Sequence, residues 1–65
     1  MSDEELLAFA QFISFVQDVR NYYSWLTNDD DLVIEVASIL KRPADQVDFM
    51  VRAALNALRR MDESR

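Results

Sequence analysis

Residues 35–60 read EVASILKRPADQVDFMVRAALNALRR, and this stretch decides the fold. Apolar residues recur in it at helical spacing on both sides of Pro43, the single proline of the chain. The residue before a proline is pushed out of helical conformation, whereas proline itself is tolerated in the first turn of a helix. The stretch therefore predicts a helix that ends near Lys41, a short turn, and a second helix that starts near Ala44.

The whole chain has 65 residues, enough for one domain that spans residues 1–65. It contains no Gly, which disfavours the tight turns of β-hairpins, and no Cys or His, which excludes disulfides and the usual zinc ligands. A domain of this size is marginally stable alone, and 51 % of its residues are hydrophobic. The sequence therefore predicts an all-α, three-helix domain that is stabilised as a homodimer.

Helix one is predicted from about residue 3 to about residue 27, and Ser2 and Glu5 at its start have capping-box spacing. Its apolar side chains cover an arc of roughly 200°, which is wider than one core-facing stripe. Either two shorter helices cover the whole arc, or part of the arc is a dimer interface. Trp25 lies on the polar side, and an exposed Trp is typical of binding hot spots. The candidate dimer-interface residues are Phe12, Phe15, Val19 and Tyr22.

Helix two is predicted over residues 30–41, after three consecutive aspartates at positions 29–31. This acidic run lacks the alternating ligands, the Gly and the distal Glu of a calcium loop, so no metal site is expected. We interpret it as the acidic start of the helix, with Asn28 or Asp29 as the N-cap, because carboxylates stabilise the positive end of a helix dipole.

Helix three is predicted over residues 44–61. Phe49 lies about opposite its apolar face, so the ring either packs on helix one from an unexpected side or contacts a partner. The predicted buried face consists of Val47, Met50, Val51, Ala54, Leu55, Leu58 and Met61.

The formal net charge of −5 is unevenly distributed along the chain. Residues 1–40 carry one basic residue and eight acidic ones, whereas residues 41–65 carry six basic residues and four acidic ones. A strongly acidic chain is a poor general binder of nucleic acid, because neutralisation of phosphates supplies most non-specific affinity. The basic residues nevertheless lie in the half that would contain a DNA-reading helix.

No catalytic constellation is visible in the sequence, because it has neither His nor Cys and no Gly-rich phosphate loop. We therefore expect a protein that is not an enzyme and that needs no cofactor. The acidic start at residues 2–5 does not resemble a signal peptide, and the apolar run at residues 6–16 is too short to span a bilayer. A cytoplasmic protein without membrane association is the expectation.

Residues 35–60 resemble the C-terminal helix-turn-helix of bacterial sigma factors, the domain that reads the −35 promoter element. The pattern of that family combines Glu-[Ile/Val]-Ala, an [Ile/Leu]-Leu pair, a turn that often contains Pro, a Val, and later Arg-Ala-Leu with a Leu-Arg pair. Residues 1–27 do not share the resemblance. The matching residues are Glu35, Val36, Ala37, Ile39, Leu40, Pro43, Val47, Arg52, Ala53, Ala54, Leu55, Leu58 and Arg59.

The chain departs from that family at the turn and on the reading helix. Lys41 stands where the family usually has a Gly in a left-handed conformation, which predicts a wider turn. The residues that would enter the major groove begin the second helix, and two of them, Asp45 and Asp48, would repel phosphates. The candidate DNA-binding residues are Gln46, Arg52 and Arg59.

Two functional hypotheses follow. The leading one is a small, acidic, non-enzymatic regulator that binds another protein, for example a phage or plasmid inhibitor that imitates the charge of DNA and blocks a nucleic-acid-binding machine. The alternative is a helix-turn-helix transcription regulator that reads DNA with residues 44–60. For the leading hypothesis the candidate partner-binding residues are Trp25, Asp45, Asp48, Phe49 and Arg52.

Overall fold

The computed structural model describes residues 2–64, and these residues form three α-helices with no strand among them. Helix α1 spans Asp3–Tyr22, α2 spans Asp29–Leu40 and α3 spans Ala44–Glu63. The three helices enclose one core, so the predicted all-α, three-helix architecture is confirmed.

The contacts between helices give their relative directions. The start of α1 lies beside Phe49 and Ala53 of α3, and Arg20 near its end lies 3.9 Å from Asp62 near the end of α3, so these two helices run in the same direction. Ile39, near the end of α2, lines a groove together with Phe15, Val19 and Tyr22 of the second half of α1. Helices α1 and α3 are therefore parallel neighbours, and α2 packs against both.

Helix α1 begins as its sequence predicts and ends earlier. The Glu5 backbone N–H donates to Ser2 Oγ at 3.3 Å, which satisfies one of the unpaired amides of the first turn. The prediction that this helix continues to about residue 27 is wrong. The backbone leaves helical conformation at Tyr23, which turns the chain so that Tyr23 and Leu26 pack on the core from a non-helical segment. Their spacing fits the helix pattern, and that is why the sequence suggested a longer helix.

Helix α2 is capped at its start by Asn28, whose Oδ1 accepts from the Asp30 N–H at 2.9 Å. The predicted cap is therefore confirmed, although the helix starts one residue earlier than expected, at Asp29. The acidic first turn lies at the positive end of the helix dipole.

The turn between α2 and α3 is tight, and the expected widening is wrong. Lys41 itself adopts the left-handed conformation, with φ 56° and ψ 44°, where the sigma-factor pattern has Gly. Its N–H donates to the Ser38 carbonyl at 3.2 Å and the Arg42 N–H donates to the Ala37 carbonyl at 3.0 Å. These two bonds form a Schellman motif, which satisfies the last carbonyls of α2 at the cost of a strained lysine backbone.

The core consists mainly of Val, Leu and Ala side chains in the middle of each helix. On α1 the buried residues are spaced three apart, and on α3 they follow the predicted helical spacing. Phe12, Ile13 and Phe15 are half-buried at its edge. The buried residues are Val16, Val19, Leu32, Val33, Val36, Ala37, Val47, Val51, Ala54, Leu55 and Leu58.

Two residues of the predicted buried face of α3 are exposed instead. Met50 is 44 % exposed beside the start of α1, and Met61 is 55 % exposed near the end of α3. The helix also continues to Glu63, two residues beyond its predicted end. Within residues 2–64, no helix combines the length and the hydropathy that crossing a membrane would require.

Candidate functional site

Arg52 on α3 joins two helices through carboxylates. Its Nη2 donates to Asp30 in the first turn of α2, and its Nε donates to Asp48 Oδ1 at 2.9 Å, one turn earlier on α3. The hydrogen bonds to Asp30 and Asp48 hold the pKa of the Arg52 guanidinium above its usual range, with the Asp30 bond as the largest cause. Arg52 is therefore fully charged and already occupied on two sides of its guanidinium.

Arg59 makes a similar connection two turns further along α3. Its Nη2 donates to Asp29 Oδ1 at 2.5 Å, and its Nη1 donates to Asn56 Oδ1 at 3.4 Å. We call Asp29, Asp30, Asp48, Arg52 and Arg59 the arginine–carboxylate cluster. It contains three acids and two cations, so it does not present a basic surface to a nucleic acid.

An apolar groove opens between α3 and the start of α1. It has a volume of about 390 Å³, and we call it the α1/α3 groove. The Phe49 ring borders it and is 82 % exposed, so this ring is beside helix α1 and still faces solvent. The residues that line the groove are Glu5, Ala8, Phe9, Phe49, Met50 and Ala53.

An aromatic cluster lies at the end of α1. The rings of Tyr22 and Tyr23 meet edge to face with centroids 4.8 Å apart, and those of Tyr23 and Trp25 do so at 5.4 Å. Trp25 is 68 % exposed, as predicted, although it lies in the turn after α1 and not on the polar side of that helix. The Glu35 carboxylate raises the pKa of Tyr23 above its ordinary value, first by accepting a hydrogen bond from the phenol and second by its negative charge.

The four residues that the sequence assigned to a dimer interface are brought close together, but not all of them face solvent. Phe15, Val19 and Tyr22 line a second groove, between α1 and α2, and the Phe12 ring stacks on Phe15 with centroids 6.3 Å apart. Val19 is only 6 % exposed and belongs to the core rather than to an interface. Tyr22 is largely exposed, and Phe12 and Phe15 are half-buried.

The candidate partner-binding residues divide into two groups. Phe49 lies next to Asp48 on α3, and the exposed Asp45 precedes Phe49 by one helical turn. Trp25 follows the end of α1 at Tyr22, whereas the groove lies near the start of that helix. About 20 Å of helix separate the groove residue Phe9 from Tyr22. The structure therefore does not bring Trp25 to the surface that contains Phe49.

The candidate DNA-binding residues are likewise in different situations. Gln46 is exposed near the start of α3, whereas Arg52 and Arg59 are bonded to carboxylates.

Over residues 2–64, no group of three acidic side chains is arranged to hold a metal ion.

Two features were not predicted from the sequence. One is the pair of acids that bind Arg52 and Arg59, and the other is the α1 side of the groove. Asp29 and Asp30 are 30 and 22 residues from their partners, so only the fold brings them together. Ala8 and Glu5 carried a weak signal, because they share the helical face of the core residues Val16 and Val19 yet lie near the start of α1.

This chain matches no protein-family model, no curated protein and no solved structure. The similarity to sigma factors is therefore carried only by the matching residues within residues 35–60.

Proposed function

We propose that this chain is a non-enzymatic regulatory protein that binds another protein through the α1/α3 groove. The observation that carries the proposal is the Phe49 ring, which is 82 % exposed on an apolar groove. Exposed aromatic rings on apolar surfaces are typical of the residues that dominate the free energy of protein–protein binding. Because the Phe49 ring stays in water, it adds little hydrophobic stabilisation to the isolated protein.

The arginine–carboxylate cluster supports a protein partner over DNA. A protein that binds DNA needs cations that can neutralise phosphates. Here Arg52 and Arg59 are bonded to Asp30 and Asp29, and the chain carries a net charge of −5. In a more specific form of the proposal, the partner is a nucleic-acid-binding machine that is inhibited when the acidic surface occupies its basic site.

Site-specific photo-crosslinking tests the proposal. A photoreactive phenylalanine analogue at Phe49 would be compared with the same analogue at Gln11, an exposed residue of α1 that does not line the groove. We expect one discrete cross-linked protein from the Phe49 position and none from the Gln11 position. An excess of unlabelled native protein should suppress the product, and an excess of the Phe49→Glu variant should not. Equal products from both positions, or none from either, would refute the proposal.

The alternative, a DNA-binding regulator that uses residues 44–60, is supported by the tight α2–α3 turn and the exposed Gln46. It requires Arg52 to leave two carboxylates in order to reach a base. A gel shift against a diverse duplex DNA pool at low salt, followed by a salt titration, tests it. Retention of a sequence subset that is weakened by Gln46→Ala would favour the alternative, and no retention at low salt would exclude it.

A further inference from the structure

The occupant of the α1/α3 groove can be characterised from the shape and the charge of its walls. The groove is lined by two parallel helices, and none of its lining residues comes from α2. The small side chains of Ala8 on α1 and Ala53 on α3 line it, together with the larger apolar side chains of Phe9, Phe49 and Met50. A groove between two helices accommodates the apolar face of a third, because its side chains can fit between theirs.

Negative charge borders one end of this groove. Glu5 is one of its lining residues, and Asp45 lies one helical turn before Phe49. Both side chains are exposed, and among residues 2–64 neither has a cationic partner. Their charges therefore remain available to a partner.

The cations near this end do not cancel that charge. Arg52 follows Phe49 by three residues, but it is bonded to Asp30 and Asp48. Lys41 and Arg42 lie in the turn before α3, and among residues 2–64 neither forms an ion pair with Glu5 or Asp45. Arg60, seven residues after Ala53, is about 10 Å further along α3. The acidic end of the groove is therefore complementary to positive charge.

We propose, on the basis of the proposed function, that the α1/α3 groove binds a basic amphipathic helix of another protein. Its apolar residues pack between Phe9, Phe49 and Met50, and its Lys or Arg side chains pair with Glu5 and Asp45. A second copy of this chain is a poor occupant of this groove, because in a symmetric dimer its Glu5 and Asp45 would meet and repel those of the first copy.

Three monomeric helical peptides with the same Leu pattern at i, i+3, i+4 and i+7 would test this inference on the full chain. The remaining positions would be Lys-rich, Gln-rich or Glu-rich. Affinity would be measured by fluorescence anisotropy, and the site would be mapped by amide chemical-shift changes. We expect the Lys-rich peptide to bind about tenfold more tightly than the Gln-rich one, and the Glu-rich peptide to bind least. The shifts should centre on Ala8, Phe49 and Ala53.

Two matched double variants separate local from general attraction. Glu5→Gln with Asp45→Asn should remove most of the preference for the Lys-rich peptide. Asp18→Asn with Glu63→Gln makes the same change of net charge away from the groove and should retain the preference. Phe49→Ala should weaken all three peptides. Equal losses in the two double variants, or shifts centred outside the groove, would overturn the inference.

The two proposals fail in different ways. Cross-linking at Phe49 without a preference for the Lys-rich peptide would leave the protein-binding function in place and refute the basic helix as the occupant. Absence of cross-linking at Phe49 would refute both.

Discussion

Arg52 on α3 donates through Nη2 to Asp30, in the first turn of α2, and this hydrogen bond joins residues 22 positions apart. The same guanidinium donates through Nε to Asp48. The pair connects the start of α2 with the middle of α3 and also occupies the side chain that is best suited to read DNA. A structural role and a DNA-reading role therefore compete for one arginine.

Energetic coupling between Arg52 and Asp30 is the first prediction. Arg52→Ala and Asp30→Ala should each lower the melting temperature slightly, because surface ion pairs contribute little, and the double variant should lose less than the sum of the two. Thermal melts of all four proteins would measure the coupling. It should decrease at 1 M NaCl, because the pair is exposed. The control is Arg60→Ala, because Arg60 forms no ion pair within residues 2–64. If the effects of Arg52→Ala and Asp30→Ala simply added in the double variant, the prediction would be contradicted.

Loss of the Asn28 cap is the second prediction. Asn28→Ala removes the acceptor of the Asp30 N–H and should destabilise the protein by about 1 kcal/mol. Asn28→Asp keeps an acceptor at the same position and should retain most of the stability. Urea denaturation of the two variants would measure the difference. If both variants lost stability equally, the side-chain bond would not be what stabilises the start of α2.

Relief of backbone strain at Lys41 is the third prediction. Lys41 adopts a left-handed conformation that a Cβ atom disfavours, so Lys41→Gly should stabilise the protein by roughly 0.5–1 kcal/mol despite the greater freedom of Gly in the unfolded chain. Arg42→Gly, at the adjacent position without a positive φ, should destabilise it. Paired chemical denaturation curves would measure both changes, and a destabilising Lys41→Gly would show that the lysine side chain itself contributes.

Alkaline sensitivity through Tyr23 is the fourth prediction. Glu35 raises the pKa of Tyr23 in the folded protein above the ordinary value of 10.0, so the protonated phenol favours the folded state. This stabilisation is fully present below pH 10 and should be lost as the pH rises from 10 through the raised folded-state pKa. Melting temperatures measured between pH 8 and pH 11 should fall more steeply for the native protein than for Tyr23→Phe. Parallel slopes would contradict the assignment to Tyr23.

Self-association through α1 is the fifth prediction. Phe12, Phe15 and the exposed Tyr22 present an aromatic surface that a homodimer would cover. Sedimentation or light scattering should therefore give the mass of a dimer for the native chain, and Tyr22→Lys should shift it towards the monomer. Asn21→Lys adds the same charge on an exposed neighbouring residue and should have less effect. A native mass that remains monomeric at every concentration would refute the dimer.

Local signals in the sequence predicted local structure well. The spacing of Ser2 and Glu5 marked the start of α1, and Asn28 marked the start of α2, because a cap needs only neighbouring backbone amides. The end of α1 was missed for a physical reason. Tyr23 and Leu26 keep the apolar spacing of the helix, yet they reach the core from a turn that the position of α2 requires.

The sequence by itself determined the helical class, the caps, the turn at Pro43 and most of the buried positions, because these depend on periodicity and on contacts between near neighbours. Only the tertiary structure decided which charges are free and which apolar side chains stay in solvent. Arg52 and Arg59 are neutralised by acids far away in sequence, and Phe49 remains exposed on a groove that α1 and α3 line without α2. Such features depend on how helices of unequal length pack, and no local pattern encodes them.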